Sequence, residues 1–201
     1  MRSAGRAGAR RARQRSEARR LEILRAAARV FRRRGLAAAG MREIAEEADL
    51  SPGNLYYYFS GKDELLRFCQ ERTLEHMLAA VDAALSRGGS SAERVREVLR
   101  AHVHAMLDEL EGATAHLEVE LLPEALRRSV IQKRDRYERS VRELVKQGVA
   151  AGEFARCDVS LVTRAMLGAV NWTARWYRPD GKQSVAQIAA GLSDYLVKGL
   201  A

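Results

Sequence analysis

Residues 51–58, Ser-Pro-Gly-Asn-Leu-Tyr-Tyr-Tyr, gather hydroxyl and amide groups into one short stretch of a 201-residue chain. Such groups suit the edges and backbone of a nucleic-acid duplex. An Asn54 amide can pair with an adenine edge, Pro52 and Tyr56 can touch thymine methyls, and Tyr57 and Tyr58 carry phenolic donors for phosphate or base. Three consecutive tyrosines cannot all face one core, because a helix turns ~100° per residue. At least one must face outward, while Phe59 and part of Tyr56 are expected to be core.

Histidine chemistry is weaker. His102 and His104 would point ~200° apart on a helix, so they make no helical metal pair, and His116 stands apart from both. His102 falls on an apolar stripe, either as a satisfied core histidine or as the lining of a cavity. Glu118 and Glu120 would lie on opposite helix faces. No nucleophile–base set, Gly-rich phosphate loop or paired carboxylate motif stands out, so neither enzymatic activity nor a metal or cofactor is expected. Cys69 and Cys157 are far apart and in no motif, which fits a reducing cytosol and excludes a disulfide framework.

The elements that must position these groups are helical. Leu21, Leu24, Ala28 and Phe31 fall at offsets 0, 3, 7 and 10, and Gly35 closes that helix behind Arg32, Arg33 and Arg34. Ser51 and Pro52 read as an N-cap and first helical residue, opening a short helix to about Phe59. Ser60-Gly61-Lys62-Asp63 reads as an S-x-x-D cap for the next helix, with Lys62 in a first turn suited to a phosphate. Ile44, Ala45, Ala48, Leu50, Leu55 and Phe59 have the spacing to pack against Leu24, Ala28 and Phe31. Further helices are expected over about 61–87, 91–110, 114–122, 123–151, 159–177 and 184–200. Pro52, Pro123 and Pro179 each fall at a proposed boundary, and no stretch sustains period-2 alternation. The fold class is therefore all-α, with about nine helices: a three-helix helix-turn-helix head and a helical body.

Charge divides the chain in the same way. Residues 1–70 hold 16 Lys/Arg against 8 Asp/Glu, whereas residues 71–201 hold 19 against 18. One end is built to meet a polyanion. Residues 1–16 are expected to be a disordered basic tail, 17–62 the DNA-binding domain and 63–201 the body. Neither a signal peptide nor a membrane span is expected, and the expected location is cytoplasmic, on the nucleoid when DNA-bound.

Residues 25–66, RAAARVFRRRGLAAAGMREIAEEADLSPGNLYYYFSGKDELL, resemble the TetR family of bacterial transcriptional regulators. The ordered set G-L, R-E-I-A, L-Y-Y-Y-F and K-D-E-L carries the resemblance, and the all-helical remainder fits it. The resemblance implies a homodimer, usually a repressor, with a ligand cavity in the body that also serves dimerisation. By position it implies DNA contacts at Arg42, Ser51, Pro52, Asn54, Tyr56, Tyr57, Tyr58 and Lys62, with Gly53 among them. Two departures weaken the phosphate clamp: Ala39-Gly40 where relatives often carry Thr or Ser, and Tyr58 where His is common.

In the body, Leu161, Ala165, Gly168, Trp172 and Trp176 fall close to a coiled-coil seam. Val185, Ile188, Ala189, Leu192, Tyr195 and Leu196 form the final stripe. Two such helices from each chain would make a four-helix dimer interface, and a seam inside one subunit is the alternative. The string NWTARWYRPDG, residues 171–181, resembles the C-terminal end of TetR-family regulators that sense acyl-coenzyme A thioesters. A coenzyme A ligand needs cations for its phosphates and an apolar tunnel for its acyl chain, so the expected effector site uses Arg134, Arg136, Asn171, Trp172, Arg175 and Arg178 with His102 and Met106 from the apolar stripe of the 91–110 helix, although the Trp residues also suit a dimer core and the Arg residues a solvated face. The functional expectation is a repressor that binds a palindromic operator and is released by a small effector such as an acyl-CoA. A hydrophobic-drug sensor and a sequence-tolerant architectural DNA binder without effector remain as alternatives.

Overall fold

The computed structural model describes residues 2–107 and 119–201. Among these, eight α-helices and one 3-10 turn account for the regular structure, and there is no strand. The helices are α1 (Arg2–Ala38), α2 (Met41–Glu47), α3 (Pro52–Tyr58), α4 (Lys62–Ser86), α5 (Ser91–Leu107), α6 (Glu124–Ala150), α7 (Val159–Trp176) and α8 (Val185–Lys198). The 3-10 turn covers Val119–Leu121. The helix expected over 114–122, with His116 and Glu118, lies mostly outside the described residues.

Local chemistry explains the boundaries. The Asn54 N–H donates to Ser51 Oγ at 3.2 Å, with Pro52 at the first helical position, so α3 starts where its sequence dictates. Asp158 caps α7 through the Leu161 N–H, and Ser184 with Gln187 forms a reciprocal capping box on α8. Gly35, at φ 77°, interrupts the helical path of α1 behind the three arginines. The cap expected at Ser60-Asp63 is different: Ser60 N–H and Oγ–H both donate to the Glu64 carboxylate at 2.8 Å. α4 begins one residue later than an Asp63 cap requires, which brings Glu64 rather than Asp63 back over the turn.

Residues 2–16, expected to be disordered, continue α1 as helix. Ala and Arg are strong helix formers, and a helix already nucleated by the packed turns from Ile23 propagates outward cheaply. Residues 10–18 are all exposed, so this extension rests on propensity rather than packing.

Two apolar clusters form. The first joins Ile23, Leu24, Val30 and Phe31 of α1 to Ile44 and Ala45 of α2, Leu55 of α3 and Phe59. It continues along α4 to Leu74 and reaches Val130 of α6, so it runs past the expected boundary at residue 62. The second is organised around α5, which packs against α4, α6, α7 and α8. That central position explains why α5 buries residues on more than one face, from Val95 and Leu99 to His102, Val103 and Met106. Arg96 and Arg100 of α5 both pair with Asp194 of α8, at 2.7 and 3.1 Å. Gly148 of α6 has no room for a side chain, since a Cβ there would meet the Phe154 ring at 2.2 Å.

Candidate nucleic-acid interface and ligand cleft

The head is built by clamping α2 onto α1. Glu47 accepts from Arg29 Nε and Arg33 Nη2, both at 2.6 Å, and Arg34 reaches Glu43 at 3.2 Å. Hydrogen bonds from Arg29 and then Arg33 hold the Glu47 carboxyl below the usual carboxylate range. The Arg20 guanidinium lies 4.5 and 4.6 Å over the Phe59 and Phe68 rings and 3.5 Å from Glu64. Much of the positive charge in α1 is thus consumed internally. Arg42 of α2 and Arg10, Arg11, Arg13 and Arg15 toward the far end of α1 are exposed.

On this frame α3 has two faces. Leu55 and Phe59 are completely buried, whereas Ser51, Pro52, Gly53 and Asn54 are exposed. Tyr57 is 82% exposed and Tyr56 50%, while Tyr58 is half-buried with its ring edge-on to Tyr57. The three tyrosines therefore split as the helical turn demands, with Tyr56 more exposed than a core residue. Lys62 differs from the rest of the expected contact set. Its ammonium donates to the Ala37 carbonyl at 3.1 Å, tying α4 to the end of α1. Gly40 stands at the N-cap of α2 without any side-chain cap, as its residue type requires. Asp49, in the turn between α2 and α3, adopts a left-handed φ of 54°.

The body contains a cleft of about 270 Å³. Leu74 and Met77 of α4 and Leu167 of α7 supply its apolar wall, and His102 of α5 lies at its base. Arg134, Asp135, Tyr137 and Glu138 of α6 and Arg164, Gly168 and Asn171 of α7 complete it. Three of these residues form a chain across three helices. The Asn171 Oδ1 can only accept, so His102 Nε2–H donates to it at 3.0 Å. A neutral imidazole then accepts at Nδ1, and the Tyr137 hydroxyl donates there at 3.0 Å. Burial pushes the His102 pKa down to about 4, opposed by the Asn171 bond, and burial raises the Tyr137 hydroxyl. Burial also lowers the Arg134 pKa, with Glu120 acting against it.

Several expected effector residues fall elsewhere. Met106 is fully buried in the α5 core and lines no part of the cleft. Arg136 is exposed and paired with Asp82 at 3.2 Å, because it is turned ~200° from Arg134 on the same helix. Trp172 is exposed on the outer face of α7, and Arg178 lies beyond the end of that helix. Arg175 lines a different cavity at the base of the head. Tyr137 and Arg164 escaped the sequence reading. A tyrosine in step with Val130, Val141 and Leu144 on α6 was the available sign for the first.

The expected dimer residues also divide. Leu161, Ala165, Gly168, Trp172 and Trp176 form one exposed face of α7, with Leu161 and Trp172 each 65% exposed. An internal seam is thereby ruled out for them. Ile188, Leu192 and Leu196 instead pack into the subunit's own second cluster, because that side of α8 faces α5. The outward side of α8 carries Gly191 and Tyr195. Among the described residues no helix is long and apolar enough to cross a membrane, and no cluster of metal-ligating side chains occurs.

Comparison with known proteins agrees with this architecture. Residues 23–68 match the family described as bacterial regulatory proteins, tetR family, and residues 88–200 match the tetracyclin repressor-like C-terminal domain. The chain is 29% identical over 173 residues to the HTH-type transcriptional repressor KstR2 of Mycobacterium tuberculosis, covering 85% of this chain and 86% of that protein. The crystal structure of the regulator PfmR from Thermus thermophilus superposes with a TM-score of 0.80 at 31% identity, over 89% of this chain and 98% of PfmR. The same fold occurs in AibR in complex with isovaleryl coenzyme A and operator DNA, with a TM-score of 0.75 at 24% identity over 89% and 98% of the two chains. With both its head and its body matched, this chain belongs to the tetR family of bacterial regulatory proteins and is a regulator rather than an enzyme.

Proposed function

We propose that the protein is a homodimeric repressor that reads a palindromic operator with α3 and leaves it when a small acyl thioester occupies the body. The carrying observation is the two-faced α3, with Leu55 and Phe59 locked in the core and Asn54, Tyr56 and Tyr57 presented outward. A second copy docked on the exposed α7 face would bury Leu161, Trp172 and Trp176, and reading two half-sites of a palindrome requires the two α3 helices to lie about 34–36 Å apart or a multiple of that. Arg42 and the arginines of the α1 extension would then add phosphate contacts.

The cleft supports the effector class. It sets Leu74, Met77 and Leu167 beside a fixed amide and a mixed set of guanidinium (Arg134, Arg164) and carboxylate (Asp135, Glu138) groups, which suits an acyl chain with a polar end better than a wholly apolar drug. AibR, with the same fold, is known in complex with isovaleryl coenzyme A and operator DNA. Ligand binding would act by population shift, favouring a head spacing that no longer spans two grooves.

The test is fluorescence anisotropy at fixed salt with the palindrome nearest the protein's own gene. Acyl-CoA thioesters are titrated in, with free fatty acids and hydrophobic drugs as controls. Release by thioesters alone supports the reading. Release by drugs alone replaces the effector class, and a preference for operator over random duplex below about 10³-fold removes the regulator in favour of an architectural binder.

A further inference from the structure

Arginine changes role partway along α1. From Arg19 onward several guanidinium groups serve the head: Arg19 pairs with Glu22, Arg20 with Glu64, Arg29 and Arg33 with Glu47, and Arg34 with Glu43. Residues 2–16 instead hold six arginines and no Asp or Glu. Arg10, Arg11, Arg13 and Arg15 are exposed and form no ion pair among the described residues. Arg10 with Arg13, and Arg11 with Arg15, are like charges three and four residues apart, which weakens a free helix by a few tenths of a kcal/mol per pair. Folding gains nothing from them, so their use lies in a polyanionic partner.

The head fixes where this segment starts. Arg19 Nη2 lies 3.5 Å from the carbonyls of Ala48 and Asp49, in the turn that leads to Ser51, the cap of α3. The residues before it therefore leave the head beside the first turn of α3, the end that would enter a groove. From Ala18 back to Arg2 the helix runs about 24 Å, on the order of seven base-pair rises of a duplex.

The arginines are also arranged round the helix. At ~100° per residue, Arg10 and Arg13 form one edge and Arg11 and Arg15 another, roughly 150° away. Gly8, Ala12 and Ser16 occupy the wider arc between them. Glu17 follows one turn after Arg13, where that edge reaches the head. A single basic edge would suit one phosphate backbone. Two edges with small residues between them suit the two phosphate walls of a groove, with the helix close to its floor. A helix about 10–12 Å across fits the major groove, about 12 Å wide, and not the minor groove of about 6 Å.

We infer that the extension of α1 docks as a helix in the major groove of the duplex flanking each half-site, with Arg10 and Arg13 on the phosphates of one strand and Arg11 and Arg15 on those of the other. This rests on the reading of DNA by α3 and adds a second grip outside the half-site. Gly8 and Ala12 carry no group that reads a base edge, so the affinity gained there depends on the length of the flank and not on its sequence. The extension enters already helical, so it does not pay the ordering cost of a disordered arm.

The experiment uses the full-length protein and the palindrome nearest its own gene, in two duplexes. One ends at the half-sites and the other carries about ten further base pairs of arbitrary sequence on each side, enough to cover the extension. Anisotropy at stepped salt is expected to show about tenfold or tighter binding to the longer duplex, with a log–log salt slope steeper by about 3–4 per subunit. Combining Arg10→Gln, Arg11→Gln, Arg13→Gln and Arg15→Gln is expected to abolish both gains and leave binding to the short duplex unchanged. Ala12→Pro keeps every charge but breaks the helix, and is expected to lose most of the gain. Dimethyl sulfate should find guanine N7, in the major groove, protected within the flanks. Equal affinity for the two duplexes overturns the flanking grip while the reading by α3 stands. An unchanged gain in Ala12→Pro, or protection of adenine N3 in the minor groove instead, overturns the groove-bound helix in favour of a flexible arm. If neither duplex binds better than random DNA of its length, the operator reading fails and this inference fails with it.

Discussion

Head and body set their exposed aromatic side chains in different company. On the head these are Tyr56 and Tyr57, each ending in a hydroxyl and set beside the exposed Asn54 amide. On the body they are Trp172 and Trp176, in line with Leu161 along α7, with Tyr195 on the outward side of α8. A tyrosine surface suits a polar partner that offers acceptors, whereas a tryptophan and leucine stripe suits a second apolar surface. The interiors reverse the pattern. The head core is apolar around Leu55 and Phe59, while the body buries a hydrogen-bonded His102 and Tyr137 beside its cleft. Polar recognition is on the outside of one region and on the inside of the other, as expected if one reads a large partner and the other encloses a small one.

The sharpest way to break this comparison is to charge the body stripe. Trp172→Asp with Trp176→Asp is expected to weaken the proposed homodimer by about a hundredfold or more, since buried aromatic anchors dominate such interfaces. Sedimentation velocity across the micromolar range would show monomer in the variant. A variant that remains dimeric would remove the α7 face as the interface.

Next in size is the buried imidazole. Its unfolded pKa of 6.5 falls to about 4 in the folded protein, so the unfolded chain binds the proton first as pH drops. The stability contribution is complete above pH 6.5 and is lost progressively as pH falls from there toward 4, by on the order of 3 kcal/mol. Urea unfolding midpoints at stepped pH should fall through that window and should flatten there in His102→Gln. The same slope in the variant would show that another group is responsible.

Smaller effects test the head. Asn54→Ala is expected to cost about 1–3 kcal/mol of operator binding, concentrated at one base pair of each half-site. Uniform loss across all operator variants would reassign Asn54 to the backbone. Ser51→Ala is expected to cost about 1 kcal/mol of stability through loss of the α3 cap, with a matching drop in thermal midpoint.

The two regions also differed in how far their sequence disclosed them. Around α3 the determinants are local: Ser51 caps it, Pro52 starts it, and the turn angle decides which tyrosines face out. Where the sequence reading failed, the deciding partner was remote. Arg136 is the exception, since a turn of ~200° from Arg134 on the same helix already takes it out of the cleft, to a face where Asp82 of another helix pairs with it. Ile188, Leu192 and Leu196 are an apolar stripe whichever surface covers them, and only the position of α5 decides that they face inward. The His102–Tyr137–Asn171 chain joins three helices separated by dozens of residues, so no spacing rule could assemble it. Glu64 replaced Asp63 at the start of α4 by a shift of one residue, the usual scale on which helix ends vary.

Leu74 belongs to the apolar cluster of the head and also lines the cleft in the body. With Lys62 and Glu64 fastened to α1 at one end, α4 has the form of a lever whose load is the reading head. From Met77 to Lys62 the arm is about 22 Å long. A ~10° tilt at the cleft would carry the head through about 4 Å, slightly more than the ~3.4 Å between successive nucleotides of one strand. Displacing the head by a whole base step therefore corresponds to an angular change of only about 10°.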